Sequence, residues 1–180
     1  LKAYIDFQCP YTNRFHAFVM QAKEEKDINI DWSSFSLDEH NRSGEVPIWE
    51  QEGTTQNPDL LTLAGLEEIK QRDRDALDTY VDDAFLLWHS QEASPDIDAV
   101  QQLLDKHSII IEPKHFKAVR ASHTQATEKN TVGSPSLVVN DDLKPIFIKL
   151  DHVPEDPTSS WQTILDVANN TAILELKRPS

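Results

Sequence analysis

Cys9 is the only cysteine among 180 residues, and it stands in the run Asp6-Phe7-Gln8-Cys9-Pro10-Tyr11-Thr12. The β-rich run before it ends in Gln8, and Pro10 suits a first helical position, where its missing N–H has no partner to lose. The sulfur therefore falls where a strand stops and a helix begins. Unpaired N–H groups and the positive end of the helix macrodipole meet there and favour a thiolate. Such positions bring a thiol pKa from about 8.5 down to between about 3.5 and 7.5. A thiolate is the nucleophile of thiol–disulfide exchange, so placement and reactivity agree. Thr12 lies one helical turn on, where its hydroxyl can donate to the sulfur. The plainer alternative is an inert buried cysteine acting as a small apolar residue.

A second run, Val132-Gly133-Ser134-Pro135-Ser136-Leu137-Val138-Val139-Asn140, enters a Val-rich strand far from Cys9 in sequence. A cis Ser134–Pro135 bond would turn the backbone of Ser134 out to pair with an extended thiol substrate. Otherwise Pro135 is an ordinary strand-start proline. His89 closes an amphipathic stripe and can overhang the Cys9 pocket as an acid or a cation; its simpler role is a helix-end histidine beside the negative dipole end. Trp88 and Tyr11 are candidates to line an apolar cleft, although Trp88 also lies on the core-facing stripe.

Composition removes other classes. The formal net charge is −14, with an isoelectric point near 4.8. Such a surface repels phosphate backbones and anionic lipid heads, which argues against nucleic-acid and membrane partners. Mean hydropathy is −0.53, and no 18-residue apolar run exists. One cysteine excludes an internal disulfide and a zinc ribbon, and it fits a reducing, cytoplasmic compartment. Seven histidines show neither HxxxH nor HExxH spacing, so no metal is expected. The four glycines, at 44, 53, 65 and 133, are too scattered for a phosphate-cradling loop. Asn41-Arg42-Ser43 and Asn169-Asn170-Thr171 match the glycosylation acceptor pattern, which has no meaning in a cytosolic protein. The chain opens at Leu1 without Met, which leaves a preceding segment or signal peptide open.

The elements that must position these residues follow from the hydrophobic period. Residues 3–7 read as a strand. Phe15, Phe18, Val19 and Ala22 keep a 3.6 period, and residues 28–32 alternate as a second strand continuing towards Phe35 and Leu37. A crossover this long joins parallel strands. Residues 38–59 read as a polar loop. Leu60, Leu63, Leu66 and Ile69 form one helical stripe; Leu77, Tyr80, Val81, Ala84, Phe85 and Trp88 form the cleanest. Helices starting at Ser94-Pro95-Asp96 and carrying Phe116, Val119 and Ala126 complete an all-helical block. Strand period returns at 136–140, a turn at Asn140-Asp141-Asp142 leads to an antiparallel strand at 145–148, and Trp161, Ile164, Leu165, Ala168 and Ile173 fit a last helix. The order is βαβ, helices, ββα. The expected architecture is an α/β domain of residues 1–58 and 130–180, interrupted by a helical insertion at 59–129.

Both runs resemble one family. Residues 6–12 look like the DFxCPxC motif of DsbA-type thioredoxin-fold oxidoreductases, and residues 132–140 look like their VGTPTxxVN cis-proline loop. The actinobacterial branch of mycothiol-dependent reductases is similar through Ser36-Leu37, Trp88-His89-Ser90-Gln91 and Leu174-Glu175-Leu176-Lys177-Arg178 as well. The resemblance implies a thioredoxin-like fold with a helical insertion, and a catalytic Cys9 supported by Thr12. It also implies a substrate site of Pro10, Tyr11, His89, Ser134 and Pro135. Family members usually carry a second cysteine where this chain has Thr12. What remains is monothiol chemistry: a thiol–disulfide oxidoreductase with no bound cofactor, using mycothiol or glutathione as cosubstrate on a disulfide or small electrophile. Kappa-class glutathione transferases and hydroxychromene-carboxylate isomerases share the insertion architecture and offer a transferase or isomerase alternative. A redox-inactive binding module is the third reading. Oligomeric state is left open.

Overall fold

A computed structural model describes residues 1–170. Ile173 and the 174–178 run considered above lie outside the described residues, as does Thr171 of the second acceptor pattern. Strand β1 (Lys2–Ile5) is followed by helix α1 (Pro10–Lys23), strand β2 (Asp31–Ser34) and a one-turn helix α2 (Leu37–His40). Helices α3 (Pro58–Arg72), α4 (Leu77–His89), α5 (Ile97–Lys106) and α6 (Pro113–Glu128) come next. Strands β3 (Ser136–Val138) and β4 (Ile146–Phe147) and helix α7 (Pro157–Asn169) complete the described chain.

The sheet order is β2-β1-β3-β4. β1 runs parallel to β2, with Ala3 opposite Trp32, and antiparallel to β3, with Tyr4 opposite Ser136. β4 closes the edge antiparallel to β3. The pleat sends alternate residues to opposite faces. Ala3 and Ile5 join the main core with Phe15, Phe18 and Val19 of α1, while Tyr4 packs with Phe35, Ala126 and Val138 on the other face. α7 covers α1 through Trp161, whose ring centroid lies 5.9 Å from that of Phe18. Among the described residues no helix is long and apolar enough to cross a membrane.

β3 and β4 are shorter than the expected 136–140 and 145–148, because only Ser136 and Leu137 pair with Phe147 and Ile146, and three other boundaries differ for a local reason. β1 stops at Ile5 rather than Phe7, because the Asp6 carboxylate accepts the Gln8 N–H at 2.8 Å and folds the chain into a turn. β2 begins at Asp31 rather than Ile28: β1 starts at Lys2, so residues before Asp31 have no strand to pair with, although Ile28 and Ile30 remain buried. Leu37 opens α2 instead of extending β2, because the Ser36 hydroxyl caps the Glu39 N–H at 3.3 Å. The stretch read as loop thus contains α2 and two short 3₁₀ turns, Ile48–Glu50 and Thr54–Gln56.

In the helical insertion, Asn57 caps the Leu60 N–H at 3.1 Å and Pro58 takes the first helical position of α3. α3 is buried nearly all round, which only a helix packed on several sides can sustain. Gly65 lets α4 come close: a Cβ there would lie 2.2 Å from the Tyr80 hydroxyl.

Candidate active site

Cys9 is the N-cap residue of α1, with extended backbone (φ −77°, ψ 117°) and Pro10 next in line. Its carbonyl accepts the Asn13 N–H at 3.1 Å, so it begins the helical ladder while its side chain points away from it. Cys9 is 6% exposed, and its sulfur donates to the carbonyl oxygen of Ser134 at 3.0 Å. A thiol can make that bond; a thiolate has no proton to give and faces the negative end of the carbonyl.

The Ser134–Pro135 bond is cis. This loop is held from both sides. The Ser134 hydroxyl accepts the Asp6 N–H at 2.8 Å, and the Pro135 carbonyl accepts the Ile148 N–H at 3.0 Å. Gly133 leaves room for Phe147, whose ring would meet a Cβ at 3.2 Å.

The Thr12 hydroxyl lies 2.8 Å from the Ser134 hydroxyl, and both residues are buried. This corrects the expectation that Thr12 donates to the sulfur. The cysteine side chain turns to the loop carbonyl, and the nearest polar partner left for Thr12 is the loop's own hydroxyl. The site is therefore a closed set of bonds: Cys9 to the Ser134 backbone, Thr12 to the Ser134 side chain, and Ser134 back to Asp6.

His89, the last residue of α4, donates from Nε2 to the Phe7 carbonyl at 2.8 Å. Burial lowers its pKa, the Phe7 carbonyl opposes that, and the Arg14 charge adds to the lowering. Its ring holds the turn leading to Cys9, and burial there disfavours the charged form. Trp88 belongs to the core, donating its indole N–H to the Thr62 hydroxyl at 3.2 Å, and does not line a cleft with Tyr11.

Tyr11, by contrast, is partly exposed in the first turn of α1. The Arg14 guanidinium lies 5.3 Å from its ring centroid and the Lys149 ammonium 4.5 Å. Arg14 and Lys149 were not legible as site residues. Arg14 carried a signal, since i and i+3 positions share a helix face; Lys149 carried none.

Two buried carboxyls lie below the motif. Asp6 is fully buried and accepts from Gln8 and from the Leu37 N–H, the latter at 2.6 Å. Burial pushes its pKa up to about 7 against those two hydrogen bonds. Asp59, in the first turn of α3, is raised by burial first and then by the Asp6 and Asp38 charges. Two carboxylates this deep do not both ionise near neutrality. A groove of about 760 Å³ lies elsewhere, between α3, α5 and α6, lined by Leu61, Leu104, Ile110, Phe116 and Arg120. No motif residue lines it.

No family model matches the chain, and no curated protein matches it. Solved structures do. The compact conformation of ScsC from Proteus mirabilis superposes with a TM-score of 0.65 at 12% identity, covering 96% of this chain and 84% of its own. A periplasmic thioredoxin-like protein from Salmonella enterica serovar Typhimurium gives 0.60 at 12% identity, covering 92% and 80%. The fold is thioredoxin-like. The oxidoreductase DsbA from Xylella fastidiosa is also similar, with a TM-score of 0.50, 13% identity, and coverage of 92% and 84%. The thioredoxin-like sheet with α1 and α7 thus carries α3 to α6 as a helical insertion between β2 and β3.

Proposed function

We propose that this protein is a cytoplasmic, monothiol thiol–disulfide oxidoreductase that works with a low-molecular-weight thiol, mycothiol or glutathione. The observation that supports it most is the Cys9 sulfur at the mouth of α1, 3.0 Å from the Ser134 carbonyl of the Pro135 loop. Two chain segments 125 residues apart meet on one sulfur, and burial alone does not require that.

The reaction begins when Cys9 loses its proton to solvent and attacks one sulfur of a disulfide. The Cys9–substrate S–S bond forms, the original S–S bond breaks, and the leaving sulfur takes the electron pair and then a proton. The Ser134 carbonyl, relieved of the thiol proton, is then open to accept an N–H from the substrate. Pro10 and Tyr11, the next two residues after Cys9, are the motif residues proposed to meet that substrate. Thr12 cannot attack the mixed disulfide, so a second molecule of thiol does: it bonds to the substrate half and Cys9 leaves as thiolate. One disulfide is consumed and one formed, with Cys9 regenerated.

The test is intact mass after incubation with oxidised glutathione and with mycothiol disulfide, for wild type and Cys9→Ser. One adduct on wild type, absent from the variant and removed by excess thiol, is the expected result. Turnover of a small electrophile or isomer that survives in Cys9→Ser would instead establish the transferase or isomerase reading. No adduct under any condition would leave a binding module.

A further inference from the structure

Among the described residues, Arg14 and Lys149 are two basic side chains that share one aromatic ring. Nine lysines and arginines among the described residues form ion pairs with carboxylates. Among the same residues, Lys2, Lys26, Lys117 and Lys144 form no such pair, whereas Arg14 and Lys149 meet on the Tyr11 ring, 5.3 Å and 4.5 Å from its centroid. Arg14 is fixed by one N–H to the Leu150 carbonyl at 2.9 Å, and a guanidinium has further donors left over. Its charge reaches His89, which holds the backbone of Phe7. The Lys149 pKa is raised first by the Tyr11 hydroxyl and only later by the Asp151 charge, with which it forms no ion pair. Two cations thus stand together on the residue two positions from Cys9, in a chain whose net charge is −14.

We infer that Arg14 and Lys149, assembled on Tyr11, form a carboxylate-recognition subsite, so that the thiol served by Cys9 is an acidic one carrying free carboxylates. This rests on the proposed thiol–disulfide reading. Of the two cosubstrates considered, glutathione carries two ionised carboxylates and mycothiol none. An Arg fork donates two parallel N–H bonds to a carboxylate, and the Lys ammonium adds a point charge. The Tyr11 side chain draws both cations to its π face and Lys149 also to its hydroxyl, which keeps them together despite their mutual repulsion.

The covalent step is the exchange already written, with oxidised glutathione as oxidant. Cys9 forms the mixed disulfide and one reduced glutathione leaves.

Rate constants for Cys9 modification are measured by mass spectrometry with two probes, oxidised glutathione and the neutral bis(2-hydroxyethyl) disulfide. The ratio of the two cancels any general change in Cys9 reactivity. For wild type the glutathione rate should fall as salt rises, because nearby cations outweigh the distant negative surface. Lys149→Glu, at an exposed position, should lower the ratio about tenfold, with Lys149→Gln between and Lys149→Arg close to wild type. A glutathione rate that rises with salt, or a ratio unmoved by Lys149→Glu, would overturn the subsite while leaving the exchange reading intact. No adduct with either probe would overturn both.

Discussion

The Cys9 thiol donates to the Ser134 carbonyl, and the Ser134 hydroxyl bonds both Asp6 and Thr12, so one serine ties the sulfur, its turn and its helix together. The residue before Pro135 acts through its backbone and its side chain at once.

Ser134→Ala should therefore destabilise the protein. It leaves the Asp6 N–H and the Thr12 hydroxyl without partners in a buried site, and each such orphan costs about 1–3 kcal/mol. Denaturant titration should show a loss of about 2–3 kcal/mol, and Thr12→Val in that background should cost less than Thr12→Val alone. Additive losses would show that the two hydroxyls do not interact.

The Asp6–Asp59 pair makes stability fall as pH rises. An unfolded Asp releases its proton near its ordinary value of about 4, whereas burial holds the Asp6 proton to about 7 and raises Asp59 in the same direction. Between those values the folded state binds more protons, so the stability present below pH 4 is lost as pH climbs to about 7. Asp59→Asn should leave Tm little changed at pH 4 and raise it by at least about 3 °C at pH 8. An equal shift at both pH values would remove the carboxyl pair as the cause.

His123 works in the opposite direction. It stacks on Phe35 at 4.9 Å, and burial lowers its pKa to about 4. Below its ordinary value of about 6.5 the unfolded chain gains a proton that the folded one refuses, so stability is lost as pH falls from 6.5 to 4. His123→Phe keeps the stack and should flatten the acid limb of a Tm-against-pH curve over that window. Unchanged curvature would place the acid sensitivity elsewhere.

Gly65→Ala should loosen the insertion. The new methyl meets the Tyr80 hydroxyl and Leu104, displacing a phenol that donates to the Thr62 carbonyl at 2.7 Å. Overpacking of this kind costs about 1–3 kcal/mol, read as a lower denaturation midpoint. A midpoint equal to wild type would show that α4 shifts without cost.

Elements with local causes were legible in the residues alone. Pro10 starts α1, the stripe from Leu77 to Trp88 is helical, and strand period resumes at Ser136, because periodicity and capping act over a few residues. The sequence also singled out Cys9 and the Ser134-Pro135 run, since a lone cysteine before a proline and a Gly-Ser-Pro run are visible as residue types. What those residues touch came instead from the packing of distant segments. Thr12 turned to Ser134 rather than to the sulfur, Trp88 to Thr62, and His89 to the Phe7 carbonyl. Lys149 joined Tyr11 from 138 positions away, and Asp59 came to face Asp6 from 53 away. A buried polar group takes whatever partner the packing brings within about 3 Å. That choice is made between segments distant in sequence, so no local pattern records it.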